Sequence, residues 1–208
     1  MCMKTILLTG FEPFLDYPVN PTMRIAEELD KVTIGDYQVC TRILPVDFGK
    51  ASARLIGVIR EVEPDVTVAL GLAAGRYKIT PERRAVNVKD GAADNEGHSP
   101  VDEPIEEEAA DAYFSTLPVR GMVDALLEAG LPAEISNTAG TYLCNNVMYA
   151  GLHYAKTERP EMKSGFIHIP ASHELAIRHG KIPSWSHEDL LRGVRICLEV
   201  IAGESKGE

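Results

Sequence analysis

Residues 133–149 read AEISNTAGTYLCNNVMY, a run in which strand, turn and helix patterns follow one another. The pattern predicts a short strand up to Ser136, a turn of small residues through Gly140, and then a helix. Thr141 is a candidate N-cap, because its hydroxyl can accept a hydrogen bond from a free amide of the first turn. Apolar residues then recur at nearly helical spacing. The segment is therefore typical of a strand–turn–helix unit.

Cys144 lies in the first turn of this predicted helix. Unpaired backbone N–H groups and the helix dipole favour an anion there, so the position favours the thiolate, which is the nucleophilic form of cysteine. A buried structural cysteine is the alternative, since free cysteine is among the most buried residue types. A nucleophilic thiol also needs a base, which another part of the chain has to supply.

The composition is that of an ordinary globular protein. The chain has 208 residues, of which 45% are hydrophobic and 25% charged, and this predicts one domain spanning residues 1–208. A formal net charge of −10 argues against nucleic acid or an anionic membrane surface as a partner. The apolar runs are too short for a signal peptide or a membrane span.

The cysteines do not form a recognisable metal or redox motif. They are Cys2, Cys40, Cys144 and Cys197. None forms a Cys-x-x-Cys pair, and no histidine lies at a spacing typical of zinc, so we expect no metal and a reducing, cytoplasmic location.

Strand and helix patterns alternate along the chain. Strands are predicted at residues 4–9, 37–44, 65–70, 84–89 and 163–169, and helices at residues 21–29, 48–62 and 118–128, after Thr141 and after Ser186. This alternation predicts an α/β domain with an open, twisted, mainly parallel sheet and helices on both faces. The glycine-bearing loop at residues 71–76 lacks the signatures of a phosphate loop and of a dinucleotide site, so no nucleotide cofactor is expected.

Four further positions could carry chemistry or binding. Phe11 and Phe14 follow the first strand, where they could line a pocket or simply pin the loop to the core. Glu82 stands beside two arginines, a context that favours a solvated surface acid. His168 ends a strand in the layer where Cys144 is expected, so it could take the thiol proton, although a packed core histidine is the ordinary alternative.

Two long segments resemble the signatures of the pyroglutamyl-peptidase I (pyrrolidone-carboxylate peptidase) family. Residues 71–87, which include GLAA and ITPERRAVN, resemble its glutamate signature, and residues 135–145, ISNTAGTYLCN, resemble its cysteine signature. Shorter matches lie in the same order along the chain: TGFEPF at 9–14, NP at 20–21, DNEG at 94–97, AYFSTLP at 112–118 and GFIHIP at 165–170.

The resemblance implies a cytosolic cysteine exopeptidase, without cofactor and assembled as a homotetramer. It would hydrolyse the N-terminal pyroglutamyl group from peptides through a thioester. Cys144 would be the nucleophile, His168 its base and Glu82 the group that orients the imidazole. The substrate pocket that the family implies is formed by Phe11, Phe14, Tyr142 and Leu143, with Asn20 in the same region.

The chain departs from the family pattern at two places. Arg84 stands where the family usually has an aliphatic residue, and the family segment DARIPDN is replaced by DGAADN at residues 90–95, without the arginine associated with the oxyanion region. Losing such a donor would cost roughly 3 kcal/mol of transition-state stabilisation. The backbone N–H of Cys144 could suffice, or Arg84 or Arg83 could substitute. A thiol amidase of shifted acyl specificity and a catalytically weak binding protein stay open as alternatives.

Overall fold

The computed structural model describes residues 3–15 and 17–204, so Cys2 lies outside the described residues. The strands are β1 (Lys4–Phe11), β2 (Thr33–Ile34), β3 (Tyr37–Leu44), β4 (Val66–Leu72), β5 (Thr80–Pro81), β6 (Arg84–Val86), β7 (Ala112–Phe114), β8 (Lys163–Ile169), β9 (Ala171–Ser172) and β10 (Ser184–Trp185). The helices are α1 (Pro21–Leu29), α2 (Ala51–Val62), α3 (Val119–Glu128), α4 (Leu143–Thr157), α5 (His173–His179) and α6 (His187–Glu204).

The central sheet has six strands in the order β2-β3-β1-β4-β8-β5. The four inner strands are parallel, while β2 and β5 are antiparallel to their neighbours at the two edges. The predicted α/β fold with a mainly parallel sheet is confirmed. Since parallel strands end on the same edge, the loops that follow β1, β4 and β8 lie close together.

Helices cover both faces of the sheet, as predicted. Ile6 and Leu8 of β1 pack into the core that α1, α3 and α6 complete. Leu7 and Phe11 of the same strand pack into the core on the opposite face, with α2 and α4. This burial on two faces explains why β1, β4 and β8 read as almost continuous apolar runs. No helix of the described residues is long and apolar enough to cross a membrane.

Two helix starts behave as the sequence predicts. The Asn20 side chain accepts a hydrogen bond from the Thr22 amide, and Pro21 is the first helical residue of α1. The Ser186 hydroxyl accepts from the Asp189 amide at the start of α6. Both caps are local contacts, which explains why a sequence pattern was sufficient to find them.

The start of α4 differs from the prediction. Its N-cap is Tyr142, and the Thr141 hydroxyl donates to the Asp90 carbonyl at 2.8 Å instead of capping the helix. The predicted Thr141 cap is therefore wrong, because a partner from a distant loop competes successfully with the local amides. The strand expected before the turn is reduced to single bridges at Ala133 and Ser136.

Candidate active site

Glu82 is buried beside β8. Its amide donates to the Phe166 carbonyl at 2.9 Å, and it forms a bridge with Ser136 on its other side. The side chain is fully enclosed, with 0% of its surface exposed. The local prediction of a solvated acid is therefore wrong. The flanking arginines suggest an exposed segment, whereas pairing on both sides places Glu82 inside the protein.

His168 connects Glu82 to the cysteine. Its Nδ1 lies 2.7 Å from Glu82 Oε1, and the Cys144 thiol is near enough to affect the pKa of the same ring. Burial alone lowers the pKa of His168, but the opposing effects of Cys144 and Glu82 are larger together and raise this pKa to about 9. The two partners therefore favour the protonated imidazole.

Cys144 is the second residue of α4, where backbone amides lack acceptors within the helix. The thiol is half-buried and faces β4 at Gly71. A Cβ added at Gly71 would lie 2.6 Å from the Phe166 ring and 3.0 Å from Cys144 Sγ. Glycine at this position allows the strand to approach the thiol closely.

The five predicted pocket residues line one narrow cavity next to the thiol. Its lining residues are Phe11, Phe14, Asn20, Val46, Leu72, Tyr142, Leu143 and Cys144. Apart from Asn20 and Cys144, the lining residues present mainly apolar or aromatic surface. The structure thus brings the predicted set together, while its role in substrate binding stays a prediction.

Asn20 shapes this cavity through contacts within its own loop. Its Nδ2 donates to the Glu12 carbonyl at 3.0 Å, and its Oδ1 accepts from both the amide and the hydroxyl of Thr22. Phe14 stands close to Tyr142, with ring centroids 6.3 Å apart. The loop after β1 is therefore held by Asn20 and contributes Phe14 as a wall.

The shortened loop at residues 90–95 packs against Tyr142. The Tyr142 hydroxyl donates to the Ala93 carbonyl at 3.2 Å, and a Cβ at Gly91 would lie 2.8 Å from the Tyr142 ring. Burial, together with the charges of Asp94 and Cys144, raises the pKa of Tyr142 to about 12. Tyr142 is consequently a neutral phenol at neutral pH.

Asp94 anchors this loop. Its carboxylate accepts hydrogen bonds from the amides of Phe48, Glu96 and His98 at 2.8, 3.0 and 2.9 Å. The next side chain, Asn95, donates to the Pro13 carbonyl at 3.0 Å. The loop is thereby tied to the segment after β1 that carries Phe14.

Arg83 and Arg84 both contact Asn137, in the turn before α4. Arg83 Nη1 donates to the Asn137 side-chain oxygen and Arg84 Nε to its carbonyl, each at 2.9 Å. Neither residue lines the cavity at Cys144. These contacts do not favour the hypothesis that Arg83 or Arg84 replaces the oxyanion arginine missing from residues 90–95.

Two residues that sequence patterns did not single out make polar contacts at the site. Arg76 Nη1 lies 2.6 Å from Glu82 Oε1. Asn145, fully buried beside the cysteine, accepts from the Val86 amide and donates to the carbonyls of Val86 and Val88. A polar residue on the inner face of α4 is a signal that could have identified Asn145, whereas Arg76 is recognisable only from the folded loop.

The site combines a buried carboxylate, an imidazole and a thiol at a helix N-terminus, on the edge of an α/β sheet. Within the described part of the chain, no cluster of three or more acidic, histidine or cysteine side chains could hold a metal. Such a fold and arrangement are typical of the cysteine hydrolases. The model of the pyroglutamyl peptidase family matches residues 4–204. The chain belongs to this family, as its sequence signatures predicted.

Similar proteins cover nearly the whole chain. The pyrrolidone-carboxylate peptidase of Lysinibacillus sphaericus is 59% identical over 197 residues, which are 95% of this chain and 96% of the relative. That of Oceanobacillus iheyensis is 50% identical over 196 residues, covering 94% and 98% of the two chains. The structure of a mutant pyrrolidone carboxyl peptidase from Pyrococcus furiosus superimposes with a TM-score of 0.93 at 47% identity, covering 96% of this chain and 99% of that one.

Proposed function

We propose that this protein is a cysteine exopeptidase that hydrolyses the N-terminal pyroglutamyl group from peptides, with Cys144 as nucleophile. The observation that carries the proposal is the hydrogen bond between Glu82 and His168, together with a Cys144 thiol in the first turn of α4 that raises the pKa of the same imidazole. Membership of the pyroglutamyl peptidase family supports the same activity. In the active form the thiol proton resides on His168, giving a thiolate–imidazolium pair.

In acylation, Cys144 Sγ attacks the carbonyl carbon of the pyroglutamyl residue. The resulting tetrahedral intermediate carries the negative charge on its oxygen. His168 then gives the proton to the leaving amine, the C–N bond breaks, and a thioester forms. Glu82 accepts from Nδ1 throughout, which keeps the second ring nitrogen directed at the thiol and the leaving group.

In deacylation, His168 is neutral and accepts a proton from a water molecule. The water oxygen attacks the thioester carbonyl, a second tetrahedral intermediate forms, and the C–S bond breaks. The products are free pyroglutamate and the regenerated thiolate, which again pairs with the protonated imidazole.

The backbone N–H of Cys144 stabilises the oxyanion in this mechanism. As the second residue of α4, Cys144 has an amide that lacks an intrahelical acceptor, and the helix dipole adds partial positive charge. A donor aimed at the developing oxyanion contributes roughly 3 kcal/mol to transition-state stabilisation.

The side chains beside Cys144 match the chemistry of a small lactam ring. Pyroglutamate has no free α-amine, so an apolar pocket does not have to desolvate an ammonium group. Phe11, Phe14, Tyr142 and Leu143 provide apolar walls, and Asn20 holds the loop that carries Phe14. An N-terminal residue with a charged amine would be rejected, because that charge would be left unpaired inside the pocket.

The proposal includes a cytoplasmic location and assembly as a homotetramer. Free thiols at Cys40, Cys144 and Cys197 support a reducing compartment. The family resemblance supports the tetramer, which light scattering of the purified protein would test. The net charge of −10 supports a peptide rather than a nucleic acid as the partner.

Hydrolysis of three chromogenic amides tests the function. We expect turnover of the pyroglutamyl amide and negligible turnover of the prolyl and glutaminyl amides. Faster hydrolysis of the prolyl amide would indicate an amidase of shifted specificity. Tight binding of pyroglutamate without turnover of any amide would indicate a binding protein and would contradict the proposal.

A further inference from the structure

Arg76 makes contacts that connect two parts of the site. Its Nη1 donates to Thr80 Oγ1 and to Glu82 Oε1, both at 2.6 Å, and its Nη2 donates to the Thr138 carbonyl at 3.2 Å. Thr138 belongs to the turn that leads into α4, the helix of Cys144. One guanidinium therefore bridges the carboxylate of the site and the turn before its nucleophile.

The Glu82 carboxylate depends on this contact. Oε1 contacts both the Arg76 guanidinium and the His168 ring at hydrogen-bond distance. Oε2 is buried without a hydrogen-bond partner among residues 3–15 and 17–204. A buried carboxylate that loses its cationic partner is strongly disfavoured, since nothing then compensates for its desolvation. Arg76 is the permanently charged residue in contact with Glu82 in the described part of the chain.

When His168 is neutral, Arg76 also favours one direction of its hydrogen bond with Glu82. A guanidinium has donors and no acceptor, and it stays protonated in proteins. Oε1 must therefore act as an acceptor toward Arg76 and cannot carry a hydrogen that points at it. A carboxylate beside this cation has only acceptors, so His168 Nδ1 donates to the same oxygen, which leaves the other ring nitrogen for Cys144.

We propose that Arg76 is a positioning residue, which holds Glu82 as the acceptor for His168 Nδ1 and keeps the Cys144 turn in line with both. This inference rests on the proposed function for its kinetic effect, although its effect on the thiol does not require a substrate. The alternative is that Arg76 only ties loops together, in which case its loss would lower stability and leave the chemistry of the folded enzyme unchanged.

Kinetics of Arg76→Ala and Arg76→Lys, on the pyroglutamyl amide, separate the two cases. Loss of a charged hydrogen bond at this site should lower kcat of Arg76→Ala about 10- to 100-fold, with KM changed less than about threefold. Arg76→Lys should recover part of kcat, because an ammonium can still donate to Glu82. Guanidinium chloride at millimolar concentration should raise kcat of Arg76→Ala and leave that of the parent unchanged.

Arg42→Ala is a matched control. The Arg42 side chain has the same exposed fraction as that of Arg76, 32%, and it likewise binds a glutamate, Glu61, and a backbone carbonyl. It lies on β3, away from the lining of the cavity. We expect kcat of Arg42→Ala to stay within about twofold of the parent, without response to guanidinium.

The rate of Cys144 alkylation by iodoacetamide gives a second measurement that needs no substrate. Arg76→Ala should be alkylated about tenfold more slowly than the parent, since a displaced imidazole stabilises less thiolate. Parental kcat and alkylation in Arg76→Ala would overturn the inference. Should Arg76→Ala fail to fold, parental kcat and alkylation in Arg76→Lys would overturn it. If Arg76→Ala is alkylated more slowly but the parent protein hydrolyses no amide, the positioning role stands and only the proposed function is refuted.

Discussion

Glu82 Oε1 and His168 Nδ1 lie 2.7 Å apart although the two residues are separated by 86 positions. The register of β5 on β8 accounts for this contact. Thr80 pairs with His168 in an antiparallel bridge, and the Glu82 amide bonds to the Phe166 carbonyl. Glu82 and His168 are therefore diagonal neighbours on one face of the sheet, within reach of long side chains.

Replacing the nucleophile tests its role directly. Cys144→Ser should lower kcat by more than about 1,000-fold, because a serine hydroxyl is far less ionised than a first-turn thiol. Circular dichroism should show the parental fold. Cys40→Ser and Cys197→Ala serve as controls and should stay active, since burial raises the pKa of Cys197 to about 12 and keeps that thiol neutral. Substantial turnover by Cys144→Ser would refute the assignment.

The charge on His168 should depend on its two partners. Cys144 and Glu82 raise the pKa of His168 to about 9 against the lowering effect of burial, so removing either partner should lower it. NMR titration of the imidazole in Cys144→Ser and Glu82→Gln measures this shift. In the parent, kcat should fall above about pH 9, because the proton for the leaving amine is then lost. An unchanged titration in both variants would contradict the arrangement.

The same pKa predicts how stability changes with pH. The folded-state pKa of about 9 lies above the ordinary value of 6.5. The stabilising contribution of the imidazolium is therefore complete below pH 6.5 and is lost as the pH rises through about 9. Urea denaturation across this interval should show a smaller decline of the free energy of unfolding in Glu82→Gln than in the parent.

Phe14 should act on affinity and positioning rather than on proton transfer. Phe14→Ala removes an aromatic wall, and we expect KM to rise about tenfold while the pH profile stays unchanged. Leu15→Ala is the control, since the neighbouring Leu15 is 55% exposed and does not line the cavity. Parental KM and kcat in Phe14→Ala would make Phe14 a purely structural residue.

Arg83 and Arg84 can be tested as oxyanion donors side by side. Both bind Asn137 outside the cavity, so we expect Arg83→Met and Arg84→Met to change kcat by less than about threefold. A true oxyanion donor would instead lower kcat about 100-fold with little effect on a ground-state pyroglutamyl inhibitor. That larger effect in Arg84→Met would restore the hypothesis that Arg84 compensates for the missing arginine.

Asp94 should stabilise the shortened loop by hydrogen bonds to its ionised form. Burial raises the pKa of Asp94, but the amides of Phe48, His98 and Glu96 outweigh it and hold the pKa below the ordinary 3.8. This contribution is present above pH 3.8 and is lost as the pH falls through the lowered value. Asp94→Asn should cost about 1–3 kcal/mol in urea denaturation at neutral pH. The exposed Asp102→Asn is the control, and an equal cost there would contradict the role of Asp94.

Local patterns in the sequence determined most of the element types and several of their ends. Asn20 and Ser186 cap helices through amides two or three positions away, and Cys144 falls in the first turn of α4 as predicted. These features depend on contacts between neighbours along the chain, which sequence periodicity and capping rules describe. The family could likewise be identified from the sequence, because its signatures are continuous segments that occur in the same order along the chain.

Tertiary structure decided the surroundings of the charged residues. Glu82 is buried because β5 pairs antiparallel with β8. The Thr141 hydroxyl binds the carbonyl of Asp90, which lies 51 positions earlier, instead of capping α4. Arg76 meets Glu82 only after the loop between β4 and β5 has folded back on itself. Local propensity contains no information on such partners, because pairing at a sheet edge and the burial of charge depend on segments that are distant in the sequence.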